Sequence, residues 1–339
     1  MTTHYDAAPY SIGLIEFRFL ISKGTRMKGL EIARAYFEEY ARPMLEEKFP
    51  DWLPFLAAGL TGSGSECFGY DDEISRDHDF EPGFCLFLPG EDVVDRRTAF
   101  LMERAYAALP REYMGLKRSL MQPVGGPRKG VLRTAEFFHA RTGTDEEELT
   151  WQQWLSIPEY ALAEAVNGEI YFDHYGEVTR RRAILARYPE DIRRKKLAGN
   201  LLLMAQSGQY NYMRCIRHGE GAAAQLAVAE FAKSTINVLF LLNGQYQPYY
   251  KWTFRALRAL PRLSLLAELL EYLITTDNDS GMYEEKYAVI EDIAKDVMDE
   301  LKRQEMTAAD CGDLEKHAYS VNDSIRNAAV RNLHILAAV

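Results

Sequence analysis

Asp77-His78-Asp79 is the stretch of this chain best suited to hold a hard cation. Residues two apart on an extended strand point to the same side. That spacing predicts that Asp77 and Asp79 aim at one point while His78 faces away. Upstream, an apolar run ends in Gly62-Ser63-Gly64-Ser65. With no Cβ, Gly64 lets backbone come close to a phosphate, and the Ser65 hydroxyl and neighbouring N–H groups can donate to its oxygens. Paired carboxylates beside such a loop suit a hard cation, with a phosphate held nearby by backbone N–H groups. The bland reading of the same residues is an acidic surface turn and a small-residue bend.

Gly64-Ser65, Gly69, Ser75 and Asp77-x-Asp79, within GSGSE…GYDDEISRDHDF, resemble the signature of the nucleotidyltransferase superfamily. The wording is most similar to a bacterial family of uncharacterised function with a helical C-terminal part. The resemblance implies a polymerase-beta-like α/β domain with a mixed sheet, followed by an all-α bundle, with the active cleft between them. It implies Mg²⁺ on Asp77 and Asp79, ATP as substrate with its phosphates on Gly64 and Ser65, and AMP transfer to an acceptor hydroxyl. Glu66 departs from the pattern, in which a basic residue often stands there, so another Lys or Arg must neutralise phosphate. The superfamily also supplies a further acid from a later strand. Here the candidates are Asp173 and Glu169, which even spacing would place on one face with Tyr171.

Other candidates lie further along. Arg214 and Arg217, three apart on a predicted helix, share a face in QYNYMRCIRHGE. In LFLLNGQYQPYYKW, a helix is expected to end at Asn243-Gly244 and the next to open at Pro248. Lys251 would then oppose the helix dipole, a mild cost that hints at an anionic contact. By resemblance Lys251 would touch the triphosphate, and Tyr249 or Tyr246 would line a base or acceptor pocket. The loop 113–130 carries Lys117, Arg118, Arg128 and Lys129 and reads as a solvated loop or a rim for phosphates. The basic span 180–196 reads as a solvated helix with interdomain ion pairs rather than an RNA-binding patch. Asp71, Asp72 and Glu73 read as solvated.

The elements that must position these groups follow from periodicity. Residues 27–47 repeat apolar side chains at three and four, a helix that Pro43 would divide. Strands are expected at 57–62, 79–88 and 169–173, and a helix at 91–109. A capping box is expected at Thr150 and Gln153, and another helix from Pro158 to Val166. Residues 14–22 fit either a strand or a helix. Beyond 178 the pattern is helical throughout, which divides the chain into domains 1–178 and 179–339. With 339 residues and 47% apolar content, a sizeable core is available. The net charge of −10 argues against nonspecific nucleic-acid binding and favours a small-molecule acceptor, and the resemblance implies a nucleoside triphosphate as the other partner. Four cysteines show neither metal-site spacing nor a disulfide pattern. No uncharged stretch reaches membrane-spanning length, and the N-terminal residues lack a charged segment followed by an apolar run. A cytoplasmic protein without a membrane segment is expected. The alternative function is a nucleotide-binding regulatory or protein-interaction module with weak or no catalysis.

Overall fold

The computed structural model describes residues 27–74, 80–118, 128–279 and 281–339. The chain forms two compact units, Met1–Arg133 with Gly168–Tyr175, and Thr134–Asn167 with Gly176–Val339. The first is an α/β unit and the second is all-α. The segment 14–22 lies outside the described residues.

In the first unit, helix α1 (Gly29–Tyr36) turns Ile32, Ala33 and Tyr36 inward. A π-helical turn, Phe37–Ala41, joins it to α2 (Arg42–Lys48). The expected division of this helix is therefore present. It falls just ahead of Pro43, whose missing N–H is tolerated where the hydrogen-bond ladder is being reset. Strand β1 (Ala57–Leu60) is followed by a long connection to β2 (Cys85–Leu88). The second strand is shorter than the expected 79–88, because Phe80 to Phe84 are not in strand conformation. Asp95 caps α3 (Arg96–Ala107), accepting from the Thr98 N–H at 2.7 Å. A two-residue hairpin, β3 (Glu112–Tyr113) and β4 (Leu116–Lys117), turns at Met114 and Gly115, both at positive φ. Strands β5 (Gly130–Arg133) and β6 (Glu169–Asp173) complete the main sheet.

That sheet has the order β5-β2-β1-β6. β1 runs antiparallel to β2 and β6, and β2 runs parallel to β5. The sheet is thus mixed, as expected. α1, α2 and α3 pack on one face through Tyr36, Phe37, Leu45, Phe84, Leu86, Met102 and Tyr106. Tyr106 fixes this layer: its hydroxyl donates to Phe84 O at 2.8 Å and accepts from Phe84 N at 3.1 Å.

The all-α unit begins with α4 (Thr134–Thr142), α5 (Trp151–Ser156) and α6 (Glu159–Val166). The Thr150–Gln153 capping box forms as the sequence suggests. α7 (Glu177–Leu185) and α8 (Glu190–Met204) follow, divided at Pro189. A π segment, Ala205–Tyr212, leads into α9 (Met213–Arg217), and α10 (Gly221–Asn243) forms the centre of the unit. After one 3₁₀ turn, Tyr250–Trp252, come α11 (Thr253–Arg258), α12 (Leu266–Thr275), α13 (Met282–Arg303), α14 (Leu314–Asp323) and α15 (Ala328–Arg331). Among the described residues α10 alone is long and apolar enough to cross a membrane, and more than half of its most apolar window is buried.

Much of the basic span 180–196 is bonded within this unit, although Arg180 and Arg187 are exposed. Arg180 pairs with Glu147 at 2.6 Å, and Arg182 donates to Asn167 O and Val166 O. Lys195, fully buried, donates to Asn322 Oδ1 at 2.9 Å and to Leu333 O at 2.7 Å.

Candidate functional site

β1 delivers the chain into the Gly-Ser loop at its Leu60 end. Gly62 and Gly64 hold φ of +113° and +127°, a region that side chains with a Cβ rarely enter. Ser65 opens a 3₁₀ turn, Glu66–Phe68, and Gly69 closes it in the left-handed conformation at φ +69°. Tyr70 N–H returns to Ser65 O at 2.9 Å. The loop is therefore a folded-back backbone structure whose glycines are required by conformation. A Cβ on Gly64 would also come within 2.7 Å of Glu66 Oε2.

Glu66 lies beneath this loop rather than in solvent. Its carboxylate pairs with Lys129 Nζ at 3.2 Å, and both side chains are only 9% exposed. Lys129 also donates to Glu81 O at 2.8 Å. Glu66, where the resemblance implies a basic residue, thus brings a buried lysine to the loop. Lys129 is not part of a solvated loop. Arg118, from the same basic stretch, is structural: it donates to Tyr106 O, Leu109 O and Pro110 O. Lys117 stays exposed beside Glu112.

Asp71, expected to be solvated, is only 2% exposed. It accepts from the first N–H of α1, Gly29 N to Oδ2 at 3.1 Å, and its carbonyl accepts from Lys28 Nζ at 2.5 Å. It stabilises the start of α1 against the loop, where a carboxylate suits the positive helix end.

Asp77 and Asp79, with Ser75 and His78, lie outside the described residues. The nearest described neighbours are Ile74 and Phe80. Phe80 packs close to Gly29, where Glu66 Cβ also lies.

Glu169 and Asp173 do not share a face. β6 pairs Phe172 with Ala58 and Ile170 with Gly59, so Tyr171 is an extra, unpaired residue. A bulge of this kind breaks the alternation. Glu169 opposes Leu60, beside the Gly-Ser loop, and falls on the α1 face; Asp173 opposes Ala57 and falls on the other. Asp173 also sits three residues back along the strand from the loop end, about 10 Å. Glu169 pairs with Arg34 at 3.1 Å, and the Arg34 guanidinium stacks 5.4 Å from the Tyr171 ring centre. Burial raises the Tyr171 hydroxyl pKa well above its ordinary value.

The remaining candidates belong to the all-α unit. Tyr249 lines a cavity of about 380 Å³, its ring 6.0 Å from that of Tyr160 in an edge-on arrangement. Lys251, in the 3₁₀ turn before α11, is exposed and lies 5.1 Å from the Trp252 ring centre. Arg217 is exposed at the C-terminal end of α9, a different element. Arg214 donates to the Tyr210 hydroxyl at 2.8 Å. All four cysteines are free thiols. Among the described residues no group of three His, Cys, Asp or Glu side chains gathers as a metal site.

Residues 154–253 match the sequence model of a family described as a domain of unknown function, DUF4037. The match covers less than a third of the chain and runs from α5 through β6 to the first residue of α11. A domain of that family is therefore present. No curated protein and no solved structure matches. Glu169, Asp173, Arg217, Tyr249 and Lys251 lie within the matched residues, whereas Gly64, Ser65, Asp77 and Asp79 lie before them.

Proposed function

We propose that the chain is a nucleotidyltransferase of the polymerase-beta-like superfamily, transferring AMP from ATP to an acceptor hydroxyl with Mg²⁺. The observation that carries this reading is the loop after β1. Positive-φ glycines at 62 and 64 lead into a buried Ser65 and the buried Glu66–Lys129 pair, and the same connection leads to Asp77-x-Asp79. The all-oxygen character of Asp77, Asp79 and Glu169 suits a hard cation. Bound there, Mg²⁺ would neutralise triphosphate oxygens.

The chain's own residues then have definite tasks. Backbone N–H groups of the loop and the Ser65 hydroxyl hold phosphate oxygens. Lys129 offsets negative charge that Glu66 alone would oppose. Glu169 accepts the acceptor's proton; its position at the loop end of β1 favours it over Asp173. In the all-α unit, Lys251 and Arg217 are exposed cations able to meet an anion, and Tyr249 lines a pocket.

One observation favours a second reading, a module that binds nucleotide without turning it over. Glu169 is already engaged by Arg34, and a carboxylate held in that pair is a poor base. Calorimetric titration of ATP with and without Mg²⁺, on the native chain and D77A/D79A, tests binding. Pyrophosphate release in the presence of candidate acceptors tests turnover. Metal-dependent binding lost in the variant is expected. No binding to the folded native protein would overturn both readings, and binding without any release would leave the second.

A further inference from the structure

Three buried lysines of the all-α unit invite comparison. Lys195 has three oxygen acceptors, and Lys286 donates to Gln225 Oε1 at 3.1 Å and Thr276 O at 2.8 Å. Lys196 is less enclosed, at 7% exposure against 0% for the other two, and its ammonium has no hydrogen-bond acceptor among the described residues. The Tyr188 ring lies beside it, 5.4 Å from Nζ to the ring centre. Buried donors are nearly always satisfied, and leaving one unmade is costly. Lys196, with Glu159 as its nearby counter-charge but no hydrogen-bond acceptor, is left with donors that a ligand can use.

Lys196 lines the cavity of about 380 Å³ that Tyr249 also lines, a volume within the range of small-molecule pockets. Glu159 shares the cavity and accepts from Gln247 N–H at 3.4 Å, but no ion pair joins it to Lys196 among the described residues. Asn237 spends its amide N–H on Asn200 Oδ1 at 2.9 Å, and Gln247 spends its own on Thr253 Oγ1 at 3.2 Å. Their carbonyl oxygens stay available. The pocket therefore offers one strong donor and several acceptors. A bare anion would meet Glu159, and a bare cation would meet Lys196. A hydroxyl donates and accepts at once, so it satisfies both. The rings of Tyr160, Tyr249 and Tyr250 are set at steep angles to one another, 83° and 47°, so a single ring face, that of Tyr249, is what a saturated ring's C–H face could lie against.

We propose that this pocket binds a small polyhydroxylated ring molecule, with one hydroxyl bridging Lys196 and Glu159 and the ring lying against Tyr249. The binding lies within the all-α unit and does not depend on the transfer reading above. The probes are myo-inositol, glucose and glucosamine, titrated without nucleotide or metal by saturation-transfer NMR and calorimetry. Saturable binding of at least one is expected. It should weaken about tenfold or more in K196M and in Y249A, and be unchanged in D77A/D79A. E159Q, which keeps the shape, checks that the loss is not unfolding: it should fold as the native chain does and also bind more weakly. No binding of any probe to the folded native protein would overturn the proposal. So would binding that K196M leaves intact, or inorganic phosphate binding at Lys196 in place of all three rings. Loss of metal-dependent ATP binding in D77A/D79A bears only on the transfer reading, so the two failures are distinguishable.

Discussion

Lys129 shows what a residue type alone conceals. In sequence it is one cation in a Gly/Pro-rich stretch, and solvation is the default reading. In the fold it is buried against Glu66, and the departure at position 66 is answered by a charge from β5's approach. Such long-range pairs have no local signature. Removing one partner of a buried pair leaves the other uncompensated, so K129M should cost about 3–5 kcal/mol in urea unfolding. E66Q/K129M should recover most of that stability while still weakening ATP binding. If the double variant binds ATP as the native chain does, Lys129 is structural only. Glu159 supports a pH prediction. Burial raises its pKa above the ordinary 4.5, partly offset by Lys196. A carboxyl with a raised folded-state pKa stabilises fully below its ordinary value, and that contribution is lost as pH rises through the raised one. Relative to E159Q, the native chain should therefore lose stability as pH climbs from about 4.5. Denaturation curves across that range measure the difference, and a constant offset would refute the assignment.

At the scale of elements, period and punctuation were informative. The Thr150 capping box, the 169–173 strand after Asn167-Gly168 and the helix of residues 27–47 are local patterns, and each forms. What stayed hidden depends on pairing. The bulge at Tyr171 cannot be read from β6 itself, because it is a mismatch with β1. It separates Glu169 from Asp173, which even spacing would have kept together. Two glycines hold this register. A Cβ on Gly59 would meet Glu169 O at 2.4 Å, and one on Gly168 would meet Leu60 O at 2.0 Å. Gly168 also sits at φ +68°. G168A should destabilise the α/β unit by about 1–3 kcal/mol from backbone strain alone, and more if β1 and β6 part. G221A is the control: it has open space around it at the start of α10, so it should be neutral or mildly stabilising. Equal effects of the two substitutions in thermal unfolding would contradict this account.

At the scale of the whole molecule, the change from mixed sheet to helices was legible in texture, but the division of the chain was not. A boundary near 178 treats domains as consecutive. The compact units interleave instead: α4 to α6 belong with the helices after 176, and β6 returns to the sheet. Composition cannot show this, since helices beside a sheet look the same whichever unit they pack in. The contacts are specific. Trp154 meets Tyr188 with ring centres 5.7 Å apart, Glu147 pairs with Arg180, and Arg182 holds the last carbonyls of α6. A fragment 179–339 would expose the surfaces these residues cover. It should keep helical circular dichroism yet unfold at lower urea than the corresponding transition of the full chain, with a smaller slope. A chain of 134–167 joined to 176–339 by a flexible Gly/Ser linker should recover that transition, because it contains the whole all-α unit with α4 to α6 restored. If 179–339 alone matches the linked chain in midpoint and slope, α4 to α6 contribute nothing to the helical unit, and the consecutive division is the correct one.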